Sequence, residues 1–211
     1  MGIFKSLFGS SDKKKLEEIE QEVNKIESGE TNKIYPILKP GSWVGLKYGA
    51  IKKVLLGTPE NPELVIAYGY DGSYNFVFIK EEDLKKKSAS EILKEAHQNL
   101  DDFKVDFNEV IPNKVVVVDG YDFCSEKILS KPFRLKLHEI LGSGKLLVSL
   151  PRRRNLMATS AQDDKEIMNK FLTIHHNTIN DDSYGNAPII NSLFTVENGE
   201  ITGVIDIDKK G

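Results

Sequence analysis

Cysteine occurs once in the 211 residues, at Cys124. One thiol excludes an internal disulfide and a cysteine-rich zinc site, and it fits a reducing compartment. Arginine is scarce: Arg134 and the run Arg152, Arg153, Arg154 stand against 25 lysines. No apolar run is long enough to cross a bilayer. The start, Met1 to Leu7, has no sustained apolar stretch of the secretory kind. The cytoplasm is the expected location. Neither a G-x-S-x-G elbow, a P-loop nor a G-x-G-x-x-G turn is present. Gly142-Ser143-Gly144-Lys145 echoes a phosphate loop without its spacing and reads as a turn. A net charge of -3, from 29 basic and 32 acidic side chains, gives no global reason to bind nucleic acid.

A hydrophobic content of 39% permits a sizeable core, and 29% charged residues of both signs keep the exterior solvated. Residues 1–15 read as a basic, apolar N-terminal tail. Ile3, Phe4, Leu7 and Phe8 line one side of a short turn beside Lys5, Lys13, Lys14 and Lys15. Such a tail is suited to weak contact with an anionic membrane surface, or to tucking onto the protein's own body. Met1-Gly2 with Ser6 also fits the N-myristoylation pattern, which needs a eukaryotic context. Residues 16–211 read as a single α+β domain with room for two lobes.

Leu16, Ile19, Val23 and Ile26 repeat at helical steps opposite an acidic face, and Ser28-Gly29 supplies a stop. Trp43, Val44, Leu46 and Tyr48 are expected in a strand. A hairpin is predicted from Leu64 to Ile79 around Asp71-Gly72. Ser88 and Glu91 form a capping box ahead of a helix that buries Ile92, Leu93, Ala96 and Leu100. Val115 to Val118 has the composition of a strand covered on both faces. A helix is expected over Pro132 to Leu141, followed by strands at Lys145 to Leu150 and Leu156 to Thr159. Asp163 and Glu166 read as the cap of a helix carrying Ile167, Phe171 and Ile174, with a loop from His175 to Asn186. Asn198-Gly199 predicts a closing hairpin. The fold class is therefore α+β, with antiparallel hairpins packed against several amphipathic helices.

Three segments resemble the YtpQ-like family of uncharacterised bacterial proteins. They are FVFIKEEDLKKKSASEILKEAHQNL at Phe76 to Leu100, DGYDFCSEKIL at Asp119 to Leu129, and GKLLVSLPRRRNLMATS at Gly144 to Ser160. Asp83-Leu84, Ala96 with Asn99-Leu100, Gly120-Tyr121-Asp122, and Pro151 with Arg153 and Leu156 carry the likeness. Phe123-Cys124 stands where the family has Ala-Ser. The resemblance implies a bacterial source and brings no established activity.

Four groups of residues are candidates for chemistry. Arg152, Arg153 and Arg154 offer planar forks for an anion or an acidic partner, with Asp122 as an internal counter-ion. Cys124, ahead of a helix start, is a candidate nucleophile, with buried inert cysteine as its alternative. His175-His176 with Asp181-Asp182 has metal-ligand chemistry, but adjacent helical residues point about 100° apart, so no metal is expected. His97 reads as a packing histidine. The expectation is a non-enzymatic protein-interaction module with a protein partner and no cofactor. A hydrolase using Cys124 or the His175/His176 region is the alternative. Peripheral membrane attachment through the tail is a further one.

Overall fold

The computed structural model describes residues 33–72, 76–85 and 87–207. The tail with Ile3, Phe4, Leu7 and Phe8, and the helix expected over Leu16 to Ile26, lie outside the described residues. Two antiparallel sheets organise the rest. The smaller holds β1 (Ile34–Pro40), β2 (Lys52–Gly57), β3 (Pro62–Asp71) and β4 (Phe76–Phe78). Strand β3 is its spine: β1 runs along one side, while β2 and β4 follow each other along the opposite side. Pro36 lies within β1. Proline cannot donate to a ladder, and among the described residues β1 pairs only with β3, so an edge position accommodates it.

The larger sheet holds β5 (Asn108–Ile111), β6 (Val115–Asp119), β7 (Lys145–Ser149), β8 (Asn155–Ser160), β9 (Ser192–Glu197) and β10 (Glu200–Asp206), in the order β10-β9-β7-β8-β6-β5. Three helices accompany the sheets: α1 (Ala89–Asp102), α2 (Lys131–Leu141) and α3 (Lys165–Asn180). The period-two alternation of strands divides the interior. Val116, Val118, Leu156 and Ala158 face one core, shared with Leu38 and Ile66 of the small sheet, Ile92 of α1 and Leu137 of α2. Val115, Val117, Leu147 and Met157 face the other way, against Ile167 and Phe171 of α3. The four valines of β6 are all buried, as a strand covered on both faces requires.

Local signals account for most boundaries. Ser88 Oγ accepts from Glu91 N–H, and Glu91 accepts from Ser88 N–H at 3.0 Å, closing the capping box of α1. Asn198 and Gly199 both take positive φ, 52° and 75°, which a tight two-residue hairpin needs.

Other expectations are corrected. Val44–Tyr48 is a 3-10 turn, not a strand. Gly49 closes it in the left-handed region, and the chain reverses between β1 and β2 there. The cap of α3 is Asp164, whose carboxylate accepts from Ile167 N–H at 3.0 Å. Asp163, one residue earlier, binds Lys114 and Thr159 instead. Helix α3 continues through His175 and His176 to Asn180, because His175 and Thr178 still face the sheet and are buried.

Candidate partner-binding site

The β7–β8 connection sends its three arginines in three directions. Arg152 is 3% exposed. Its Nε donates to Thr178 O at 2.8 Å, Nη1 to Asn186 O at 2.6 Å, and Nη2 to Ile179 O and Asp182 Oδ1, both at 2.8 Å. Two of these acceptors are carbonyls from the last turn of α3, which have no partner within the helix. Arg152 therefore terminates α3 and ties it to the sheet. Arg154 takes φ 61° and turns outward. Its Nε and Nη2 both reach Asp122 Oδ1, at 2.7 and 2.6 Å, in an exposed pair. Arg153 is half-buried, and among the described residues its side chain has no hydrogen bond and no ion pair.

Segment 119–129 joins the two sheets from within. Gly120 and Phe123 take positive φ, 80° and 63°. That conformation is costly for phenylalanine. Tertiary packing holds it: the Phe123 ring stacks on Tyr35 at 4.1 Å and meets Phe103 edge-on. Cys124 has no exposed surface, and burial pushes its thiol up to about 11, so it is a thiol and not a thiolate at neutral pH. Glu126 is buried too. One carboxyl oxygen accepts from Leu38 N–H of β1 at 3.0 Å, the other from Ser125 Oγ at 2.7 Å. Burial raises its pKa above the ordinary carboxyl range, against the pull of those bonds and of Arg153. Buried Lys127 donates to Leu100 O at 2.8 Å and Phe103 O at 3.0 Å, closing the end of α1.

Beside this junction lies a surface assembled from the small sheet. Lys39 of β1 holds its Nζ 5.3 Å from the ring centroids of both Trp43 and Phe78. The two rings lie 4.4 Å apart. Gly45 makes the arrangement possible: a Cβ there would sit 2.1 Å from the Trp43 ring, so the indole rests directly on backbone. The same turn presents Val44 at 56% exposure and Tyr48 at 72%. Lys39 is itself half-buried. Its pKa is lowered by burial first and by Arg153 second, with Glu126 opposing. Lys39, Trp43 and Phe78 thus form a small shelf, and the turn that Trp43 opens carries the exposed Val44 and Tyr48.

The histidines part company. His175 is 1% exposed. Its Nδ1 lies 2.6 Å from Ser149 Oγ and its Nε2 2.8 Å from Asn191 Oδ1. Asn191 Oδ1 can only accept, so Nε2 carries the proton and Nδ1 accepts from the serine. Ser149 and His175 are buried, with no exposed surface at the serine, while Asn191 is half-buried. His176, next along the helix, is exposed and sits by Asn180. Among the described residues no three His, Cys, Asp or Glu side chains gather in a way that holds a metal. Nor is any described helix long and apolar enough to cross a membrane.

Sequence reading singled out the arginine run and Asp122 but not the shelf, Glu126 or the Ser149–His175–Asn191 chain. The shelf did leave a trace: Trp43 is the sole tryptophan, two residues from a glycine and just past Pro40-Gly41. Comparison with protein-family models, with curated proteins and with solved structures finds no match.

Proposed function

We propose that the chain is a non-enzymatic protein-interaction module of the YtpQ-like kind, working in the cytoplasm, and that the Trp43 shelf is its contact surface. One observation carries this reading: the only tryptophan, half-buried, opens the short turn that carries Val44 and Tyr48, two of the most exposed large apolar side chains among the described residues. Tryptophan, tyrosine and arginine are the residue types that dominate binding energy at protein interfaces. Large apolar side chains exposed together on one short turn mark contact sites more often than scattered exposure does. The test is a photo-crosslinking residue placed at position 48, with position 136 on α2 as control, in the producing cells. The expected result is one adduct of defined mass at 48, absent at 136 and lost with Trp43→Ala in a chain that still melts cooperatively. The same adducts at both positions contradict the reading.

The hydrogen-bonded Ser149–His175–Asn191 chain favours a second reading, a hydrolase. The serine that would attack has no exposed surface among the described residues, and the histidine offers it Nδ1 while Nε2 binds Asn191. A fluorophosphonate probe that labels Ser149 in the native protein would establish the hydrolase. The interaction reading expects no label.

A further inference from the structure

We propose that Asn198-Gly199 is a self-modification site: the Asn198 side chain cyclises onto the Gly199 nitrogen and is converted to aspartate and isoaspartate, with His138 as the general base.

The chemistry needs an asparagine followed by an unhindered backbone nitrogen. The Asn198 side-chain carbon closes a five-membered ring with that nitrogen, and glycine has no Cβ to obstruct the approach. It also needs a base to take the proton from the nitrogen, and a hairpin tip in solvent offers only water. Here α2 supplies one. Gly199 N–H donates to His138 Nε2 at 3.1 Å. Across the ring, His138 Nδ1 lies 2.6 Å from Ser143 O. A carbonyl can only accept, so Nδ1 carries the proton and Nε2 presents its lone pair to the Gly199 N–H. Both contacts therefore select the tautomer that acts as a base toward this nitrogen. The glycine is held in place from other sides too. Arg134 Nε donates to Gly199 O at 2.6 Å, and a Cβ at Gly199 would sit 2.8 Å from the Leu135 side chain. Gly199 is buried while Asn198 is exposed, and among the described residues the Asn198 side chain makes no hydrogen bond. The nitrogen is fixed against its base, and the group that it attacks is free to rotate onto it.

In the reaction the Gly199 nitrogen bonds to Asn198 Cγ as its proton passes to His138 Nε2. The Cγ–Nδ2 bond then breaks, and the nitrogen leaves as ammonia with the proton that the imidazolium returns. Water opens the cyclic imide at either carbonyl, giving aspartate or isoaspartate. No electron is gained or lost. The product adds a negative charge between Glu197 and Glu200, which face each other across the turn. The isoaspartyl form also adds a backbone carbon to a two-residue loop whose geometry depends on its length.

The experiment incubates the full chain near neutral pH. Peptide mass mapping follows the change from amide to acid at Asn198, and enzymatic methylation counts isoaspartate. A synthetic peptide of residues 195–202 gives the rate without the imidazole. The native chain is expected to convert faster than the peptide. His138→Gln keeps an acceptor for the Gly199 N–H but removes the base, and it should slow conversion about tenfold or more, since a positioned general base contributes roughly 10²–10⁴-fold. A cooperative thermal melt confirms that the variant is folded. Conversion in folded His138→Gln as fast as in wild type, or faster, overturns the proposal, because the bond to His138 then shields the glycine. A native chain no faster than the peptide overturns it as well, and that comparison decides alone if the variant does not fold.

Discussion

Truncating the arginines one at a time is expected to give three different stabilities from three neighbouring residues. Arg152→Ala removes four hydrogen bonds, one of them to the exposed Asp182 and one to Asn186 O in a half-buried loop, where water can re-satisfy the acceptors. The other two go to Thr178 O and Ile179 O at the end of α3, beneath a side chain that is 3% exposed. A bond from a charged donor is worth about 1.5–3 kcal/mol, so losing these two costs about 3–6 kcal/mol. For a chain of this length that is a fall in melting temperature on the order of 10 °C. Arg154→Ala breaks only the exposed pair with Asp122, where 52% and 51% of the side-chain surface remains in water. Such pairs contribute about 0–1 kcal/mol. Arg153→Ala removes a side chain that makes no hydrogen bond, and its cost is expected to stay below about 1 kcal/mol. Urea denaturation followed by far-ultraviolet circular dichroism measures all three. If Arg154→Ala costs as much as Arg152→Ala, or if Arg152→Ala is neutral, the division of labour described for this loop is wrong.

Three other outcomes follow from named contacts. Cys124, buried and held as a thiol, should react with a disulfide reagent only at the rate of unfolding, and labelling in the native state as fast as in denaturant would contradict its placement. Glu126 has a raised pKa, so the folded chain holds a proton that the unfolded chain has released, and its contribution to stability falls as pH rises from the ordinary value of 4.5 through the raised one. Glu126→Gln should flatten the stability–pH curve over that window, and an unchanged slope there would show that the carboxyl is not what titrates. Gly45→Ala should push the indole off its backbone seat, moving Trp43 emission to longer wavelength with little change in melting temperature. Unaltered emission would mean the ring does not rest there.

What was legible in the sequence was what depends on neighbours along the chain. The capping box at Ser88 and Glu91 and the Asn198-Gly199 turn are satisfied within a few residues, and both stand in the structure. The valines of β6 announce a buried strand by composition alone. Failures occur where distant packing overrides a local signal. Val44 to Tyr48 has strand-forming residues, yet the indole of Trp43 sits on Gly45 and the segment curls into a 3-10 turn. His175 to Asn180 is polar enough to read as loop. Ser149 and Asn191 bond His175, and Arg152 collects the final carbonyls, so the helix continues. Strand β5 was not foreseen, and its four residues, interrupted by a register shift, carry no strong pattern. At the site, spacing placed three arginines together but could not say which one makes no bond among the described residues. That depends on carbonyls more than twenty residues away and on an aspartate thirty residues earlier.

The central claim is that Arg153, alone of the three, makes no hydrogen bond and no ion pair among the described residues. The four arginines give four Nε–H signals in a nitrogen–proton correlation spectrum, which makes the claim directly measurable. Arg134 and Arg152, bonded to Gly199 O and Thr178 O, should exchange slowly with water. Arg153, without such a bond among the described residues, should exchange fast. An Arg153 signal as protected as that of Arg152 would contradict the account.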